Sequence, residues 1–251
     1  MENGRNGQAA QAEEKPEKRM EAMPAEQAEK PEAEKKPGYP MHKRRYTPLY
    51  TIIVFLYGIL VKLLFFMKIE GRENVPKDRN CILMGNHQCL LDPVTLALCV
   101  PDREIHFMGK KELFENKALG WIFRQVHGFP VDRGNMDMGA IRTAMGVLKE
   151  GETLGIFPEG TRNKTDDLML PFKEGSFKMA EKTGCAIVPM AITGSADILE
   201  NHFPKVKATH VILEYGKPIY PNELDKETKK KIGAHCQGVI EEMLVKNEKL
   251  Q

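Results

Sequence analysis

His87 and Asp92 are the residues best placed to do chemistry. They lie in Gly85-Asn86-His87-Gln88-Cys89-Leu90-Leu91-Asp92-Pro93, between an apolar run, Cys81 to Met84, that reads as a buried strand and another, Val94 to Val100, that reads as a short helix. Asp92 directly before Pro93 suits a helix N-cap with proline at the first helical position. On one helix, side chains five residues apart diverge by roughly 140°. Across a strand-to-helix turn they can meet, the carboxylate holding one imidazole nitrogen and leaving the other free as a base. The chain has no G-x-S-x-G nucleophile elbow, so the base is expected to activate a group that arrives with the substrate, a hydroxyl being the natural candidate. A His beside an Asp in a turn also serves as a capping or packing pair, and the rest of the chain must separate the two readings.

A second set of residues suits a phosphate. Arg133 follows the apolar run Phe129 to Val131, and Glu159, Gly160, Thr161 and Arg162 follow the run Thr153 to Phe157, so each set falls at the end of an expected strand. Arginine offers phosphate oxygens a bidentate fork, and glycine lets main-chain N–H groups approach. Lys173, just ahead of Gly175, adds a further cation. Glu159 cannot face a phosphate directly and is expected to hold Arg162 or a substrate hydroxyl. Taken singly, these are ordinary surface or salt-bridged side chains; their recurrence at successive strand ends points to a substrate-binding group.

The elements that would position them alternate. Apolar runs at 81–84, 105–108, 129–131, 153–157, 187–192 and 210–215 read as strands. Leu119 to Val126 and Ser176 to Thr183 read as helical, and Met138, Ile141, Met145 and Leu148 recur at helical spacing before Gly151. Ile232, Cys236, Val239, Ile240, Met243 and Leu244 share one side of a closing helix from about Leu224 to Val245. This alternation implies an α/β fold, a largely parallel mixed sheet flanked by helices, in which ligands bind outside the carboxyl ends of the strands.

Residues 1–42, rich in Glu, Lys, Ala and Gln and interrupted by prolines at 16, 24, 31, 37 and 40, read as a disordered charged tail. Lys43-Arg44-Arg45 then precedes an apolar stretch from Leu49 to Met67, broken by Lys62. As a helix it would be about 28 Å long, just short of a bilayer core of about 30 Å. Basic residues flank both ends, with Lys68, Arg72 and Lys77 beyond it. Residues 43–68 are therefore expected to be a shallow or re-entrant membrane-anchoring helix with both ends cytoplasmic, a single span and a buried core helix being the alternatives. Residues 69–251 would be the catalytic domain. A net charge of +2 without a basic, aromatic-interleaved helix speaks against nucleic acid as a partner. Five cysteines without C-x-x-C spacing read as reduced thiols of a cytosolic compartment, and seven scattered histidines offer no metal site.

Four stretches together resemble the motifs of the glycerolipid acyltransferases. Asn86-His87-Gln88-Cys89-Leu90-Leu91-Asp92 resembles their H-x4-D motif, Gly128-Phe129-Pro130-Val131-Asp132-Arg133 the second, Phe157-Pro158-Glu159-Gly160-Thr161-Arg162 the third, and Val188-Pro189-Met190-Ala191-Ile192-Thr193-Gly194 the fourth. They occur in the family's order and spacing and cover about Ile69 to Tyr220. Lys111-Glu112-Leu113-Phe114 also resembles the bacterial 1-acyl-sn-glycerol-3-phosphate acyltransferase subgroup, from whose pattern the long charged tail departs. The resemblance implies acyl transfer from a thioester to the sn-2 hydroxyl of lysophosphatidic acid, giving phosphatidic acid, with His87 as base, Asp92 as its support, and Arg133, Gly160 and Arg162 gripping the acceptor phosphate. It implies no cofactor, since the thioester, on coenzyme A or acyl carrier protein, is a co-substrate. It further implies membrane lipid as a partner and a catalytic domain on the cytoplasmic side of the cell membrane. The same chemistry on glycerol 3-phosphate or another lysophospholipid, or a non-catalytic membrane-bound lipid-phosphate binder, are the alternatives.

Overall fold

The strand that carries the His87 turn is buried along its whole length, as a central strand covered on both faces must be. The computed structural model describes residues 48–77, 80–100, 103–132, 134 and 137–250. Residues 1–42, the Lys43-Arg44-Arg45 cluster and Arg133 lie outside the described residues, as does the Lys62 side chain.

In chain order the strands are β1 (Phe65–Glu70), β2 (Cys81–Gly85), β3 (Ile105–Lys110), β4 (Gly128–Val131), β5 (Thr153–Ile156), β6 (Ala186–Thr193) and β7 (Thr209–Tyr215). The helices are α1 (Pro48–Leu64), α2 (Asp92–Cys99), α3 (Lys117–Gln125), α4 (Met138–Lys149), α5 (Phe177–Thr183), the short α6 (Lys226–Lys230) and α7 (Ile232–Glu248). The strands form one sheet in the order β1-β7-β6-β2-β5-β3-β4. All pairs are parallel except β6 with β7. The loops after β2, β3, β4, β5 and β6 therefore emerge at one edge of the sheet, where the expected site residues sit in the chain.

Alternation along β2 divides the core between two faces. Cys81 and Leu83 pack with Tyr57 and Val61 of α1 and Leu96 and Cys99 of α2. Ile82 and Met84 pack with Ala144 and Leu148 of α4, Phe177 of α5 and Cys236 of α7. In α4 the deeply buried residues are Ala140, Ala144 and Leu148, while Met138 is exposed and Ile141 and Met145 are partly buried. The small alanines let the helix lie close to the sheet, which turns the longer side chains toward its flank. The closing helix buries Ile232, Cys236, Ile240, Met243 and Leu244 as its spacing predicts.

The first helix differs from expectation at its end. It stops at Leu64, and the apolar residues that would have continued it form β1, which pairs in parallel with β7. The open edge of β7 offers those residues a ladder of backbone hydrogen bonds along one side, and pairing there keeps the apolar run on the domain. At about 26 Å, α1 is shorter than a bilayer core, and no helix among the described residues is long and apolar enough to cross a membrane. One side of α1 is a core helix: Tyr50, Tyr57 and Val61 are buried, and the Tyr57 hydroxyl bonds that of Thr95 on α2 at 2.6 Å. The other side, Ile52, Phe55, Leu56 and Ile59, is exposed.

All five cysteines are free and buried. Burial pushes the Cys81 and Cys89 thiols up to about 11 and those of Cys99 and Cys236 up to about 12.

Candidate active site

The turn from β2 into α2 brings the imidazole to the carboxylate, with His87 Nδ1 2.8 Å from Asp92 Oδ2. Asp92 is fully buried, and the same Oδ2 accepts the N–H groups of Gln88 and Cys89, each at 2.8 Å. Asp92 is the first helical residue rather than the N-cap, which is Leu91. Its carboxylate reaches back and closes the turn on His87 instead of capping N–H groups ahead of it. Nδ1 is thus committed, and Nε2 is the nitrogen left to take a proton.

Neighbouring elements fix the rest of His87. Its N–H donates to Glu159 Oε1 at 2.7 Å and its carbonyl accepts from Asn163 N at 2.7 Å, so the loop after β5 clasps the residue from both sides. The Phe157 ring stacks on the imidazole at 4.3 Å between centroids. Asn86, fully buried, exchanges two hydrogen bonds with the backbone of Ile192 on β6, at 2.8 and 2.9 Å. A side-chain amide here continues the β2–β6 ladder after the backbone has turned away, and so sets where the turn begins.

Glu159 holds neither Arg162 nor an open position for a substrate hydroxyl. Its second oxygen accepts Leu170 N at 2.9 Å, so one oxygen holds the His87 turn and the other the loop's own backbone. Burial raises the pKa of Glu159, against the hydrogen bonds and the nearby His87 that favour its anion. Arg162 pairs instead with Glu200, which lies between β6 and β7 and whose Oε1 also accepts Leu90 N at 2.9 Å. The guanidinium therefore belongs to the same strand-end cluster as His87, joined to it through Asn163 and through Glu200. Gly160 adopts φ 73°, and its N–H is taken by Phe157 O at 3.0 Å, so this residue offers no free main-chain donor. What it provides is room: the Lys173 Nζ lies 2.9 Å from the point where a Cβ would stand. Thr161 and Lys173 are exposed beside it. His87, Asp92, Glu159, Gly160, Arg162 and Lys173 thus converge, Thr161 lies between two of them in the chain, and Arg133 is outside the described residues. No group of three or more metal-ligating side chains occurs among the described residues.

A family model described as Acyltransferase matches residues 66–193, from β1 to the end of β6. The chain belongs to the acyltransferase family. It is 37% identical over 154 residues to the 1-acyl-sn-glycerol-3-phosphate acyltransferase of Bacillus subtilis, a match covering 61% of this chain and 74% of that one. It is 31% identical over 182 residues to the enzyme of the same name from Saccharomyces cerevisiae, covering 71% of this chain and 58% of that one. Its fold is similar to the crystal structure of the 1-acyl-sn-glycerophosphate (LPA) acyltransferase of Thermotoga maritima, with a TM-score of 0.67, 28% identity and 79% of each chain covered.

Within this acyltransferase, three contributors to the site escape a reading of the sequence. Phe157 sits inside a motif as an apolar residue, and only its stacking on His87 reveals a role. Glu200 is separated from Leu90 by 110 positions and lies in no motif. The amide of Asn86 could have been suspected, since a buried Asn at a strand end must find partners for both its ends.

Proposed function

We propose that this acyltransferase moves an acyl chain from a thioester to the sn-2 hydroxyl of 1-acyl-glycerol 3-phosphate. The observation that carries the proposal is the buried Asp92 carboxylate on His87 Nδ1, in one cluster with the Arg162 guanidinium. The names of the relatives supply the substrate class.

In the proposed reaction the acceptor's phosphate lies against Arg162 and Lys173, with Arg133 a further candidate from the sequence. That grip sets the free hydroxyl before His87 Nε2. Nε2 takes the hydroxyl proton as the oxygen attacks the thioester carbonyl, and Asp92 stabilises the imidazolium. The tetrahedral intermediate collapses with cleavage of the carbon–sulfur bond, and the imidazolium returns its proton to the departing thiolate. Phosphatidic acid and a free thiol leave, with the catalyst regenerated. Base catalysis supplies on the order of 10² to 10⁴ in rate, and positioning of the two substrates supplies much of the remainder. The thioester carries its own activation, so the step draws on no cofactor. Coenzyme A and acyl carrier protein present the same thioester, and either serves the chemistry.

Both lipid substrate and product favour a bilayer, whereas the thioester donors are cytosolic. We therefore place the protein at the cytoplasmic face of the cell membrane, with the exposed side of α1 against the lipid and residues 1–42 as a tail ahead of it. The test is thiol release by the purified full chain with each donor and a panel of acceptors: lysophosphatidic acid, glycerol 3-phosphate and lysophospholipids with larger head groups. Release that depends on lysophosphatidic acid and yields phosphatidic acid is expected. Binding of that lipid with no thiol released from any donor overturns the reading in favour of a lipid-phosphate binder.

A further inference from the structure

α3 is turned the opposite way from an ordinary surface helix. Of its nine residues the one that is buried is Gly120, which lies so close to Phe114 that a Cβ there would come within 2.7 Å of the Phe114 carbonyl oxygen. Phe123 meets the Phe114 ring at 5.7 Å and the Arg124 guanidinium lies over it at 5.5 Å, so Phe114 is the seat on which the helix rests. Asn116 caps the amino end by accepting from Ala118 N and Leu119 N. With the glycine side inward, Ala118, Leu119, Trp121 and Ile122 share an outward arc, and Leu119 and Trp121 are 45% and 57% exposed. Lys117 and Arg124 border that arc, and Lys110 and Lys111 lie just before it in the chain.

This arc adjoins a second one. Successive right-handed crossovers from β2 to β3 and from β3 to β4 put α2 and α3 on one face of the sheet, the face that α1 also covers. α1 meets the turn that leads from α3 into β4, the Tyr50 and His127 rings being 5.3 Å apart. Farther along, Tyr57 ties α1 to Thr95, one helical turn from Asp92. The outward residues Ile52, Phe55, Leu56 and Ile59 follow the i, i+3, i+4, i+7 pattern of an apolar stripe, yet the stripe is exposed. Exposed aliphatic residues with an indole among them and basic side chains at the border match the chemistry of a lipid–water interface.

We infer that α3 is a bilayer-contacting element, its Leu119, Trp121 and Ile122 entering the interface of an anionic phospholipid membrane alongside the exposed stripe of α1. The anchoring surface is then two helices wide rather than one, and it lies on the face that α2 shares with the Asp92 turn. The choice of lipid as occupant rests on the proposed acceptor, and the contact itself is read independently of catalysis.

The chain contains one tryptophan, so its emission reports on α3 alone. Full-length protein titrated with phosphatidylcholine vesicles containing phosphatidylglycerol should show a shift of Trp121 emission to shorter wavelength and quenching by lipids brominated on the acyl chain. Vesicles of phosphatidylcholine alone should produce less of both. A Leu119→Glu, Ile122→Glu double variant should lose vesicle partitioning by roughly tenfold or more. Its thermal melt and its thiol release with a short-chain, water-soluble acceptor should stay unchanged. Sedimentation with vesicles without any change in Trp121 emission overturns the inference, leaving α1 as the sole contact. Emission that is already blue-shifted and indifferent to lipid overturns it in favour of cover by residues 1–47. A shift that follows protein concentration and a doubling of mass overturns it in favour of a second copy. Lipid-dependent emission without thiol release sinks the proposed function and leaves this contact standing.

Discussion

With Nδ1 bonded to Asp92, the proton-accepting lone pair of His87 is confined to Nε2, and the stacked Phe157 ring fixes the plane in which it points. His87→Ala removes the base and should lower kcat by on the order of 10² to 10⁴. Asp92→Asn keeps the shape but removes the charge that stabilises the imidazolium, so most of that loss should recur in the same thiol-release assay. Arg162→Ala should act on a different constant. A charge-assisted hydrogen bond contributes about 1.5–3 kcal/mol, so KM for a phosphate-bearing acceptor should rise roughly 10- to 150-fold. KM for the thioester donor should stay as it was, and a drop in kcat at unchanged KM would show that the guanidinium meets the reacting centre instead. The dyad was legible in the sequence because its two members are five residues apart in a turn whose ends are marked by an apolar run and by Pro93. The partner of Arg162 was not. Glu200 is brought in by the β6–β7 connection, and no local signal distinguishes it from any other surface glutamate.

At the scale of elements, the amide of Asn86 is what stitches the active turn to β6. Asn86→Ala leaves the Ile192 N–H and carbonyl without their partners in a buried place, at about 1–3 kcal/mol for each group. Chemical denaturation should therefore show a loss of about 2 kcal/mol or more, and kcat should fall as well because His87 is the next residue. A stability loss with full activity would mean that the clasp from the β5 loop positions the base by itself. The parallel strands and the closing helix were readable from periodicity, since the same side chains that mark the pattern fill the core. Two features were not readable. The apolar run from Leu49 to Met67 contains no breaker at Leu64, and the switch from α1 to β1 is decided by the open edge of β7. The outward turn of α3 is decided by the fit of Gly120 on Phe114, a contact that a hydrophobic pattern ranks backwards.

Across the whole molecule, the chemistry gathers at the carboxyl ends of the parallel strands, while an unrelated titratable cluster sits at their amino ends. There Glu104 lies 3.1 Å from His127, whose ring is 5.0 Å from that of His106. Burial, helped by the nearby Glu152, pushes the Glu104 carboxyl up to about 7 from an ordinary 4.5, and burial pushes the His106 imidazole down to about 4. A carboxyl with a raised folded pKa holds a proton that the unfolded chain has released, so stability falls as pH rises from about 4.5 to about 7. The His106 shift acts in the opposite sense between about 4 and its ordinary 6.5. Glu104→Gln keeps His106 and deletes the carboxyl, so the melting temperature of the variant relative to the parent should climb between pH 5 and pH 8. A constant difference over that range would mean that the carboxyl titrates as it does in water. The sulfurs of the chain carry a practical consequence of their own. All five are enclosed and favour the protonated form, so a chromogenic disulfide reagent should find almost nothing to react with in the native protein and five groups after denaturation. Every equivalent of colour that develops during turnover can then be credited to product, and a single cysteine introduced on the outer arc of α3 would be the lone reactive address on the folded chain.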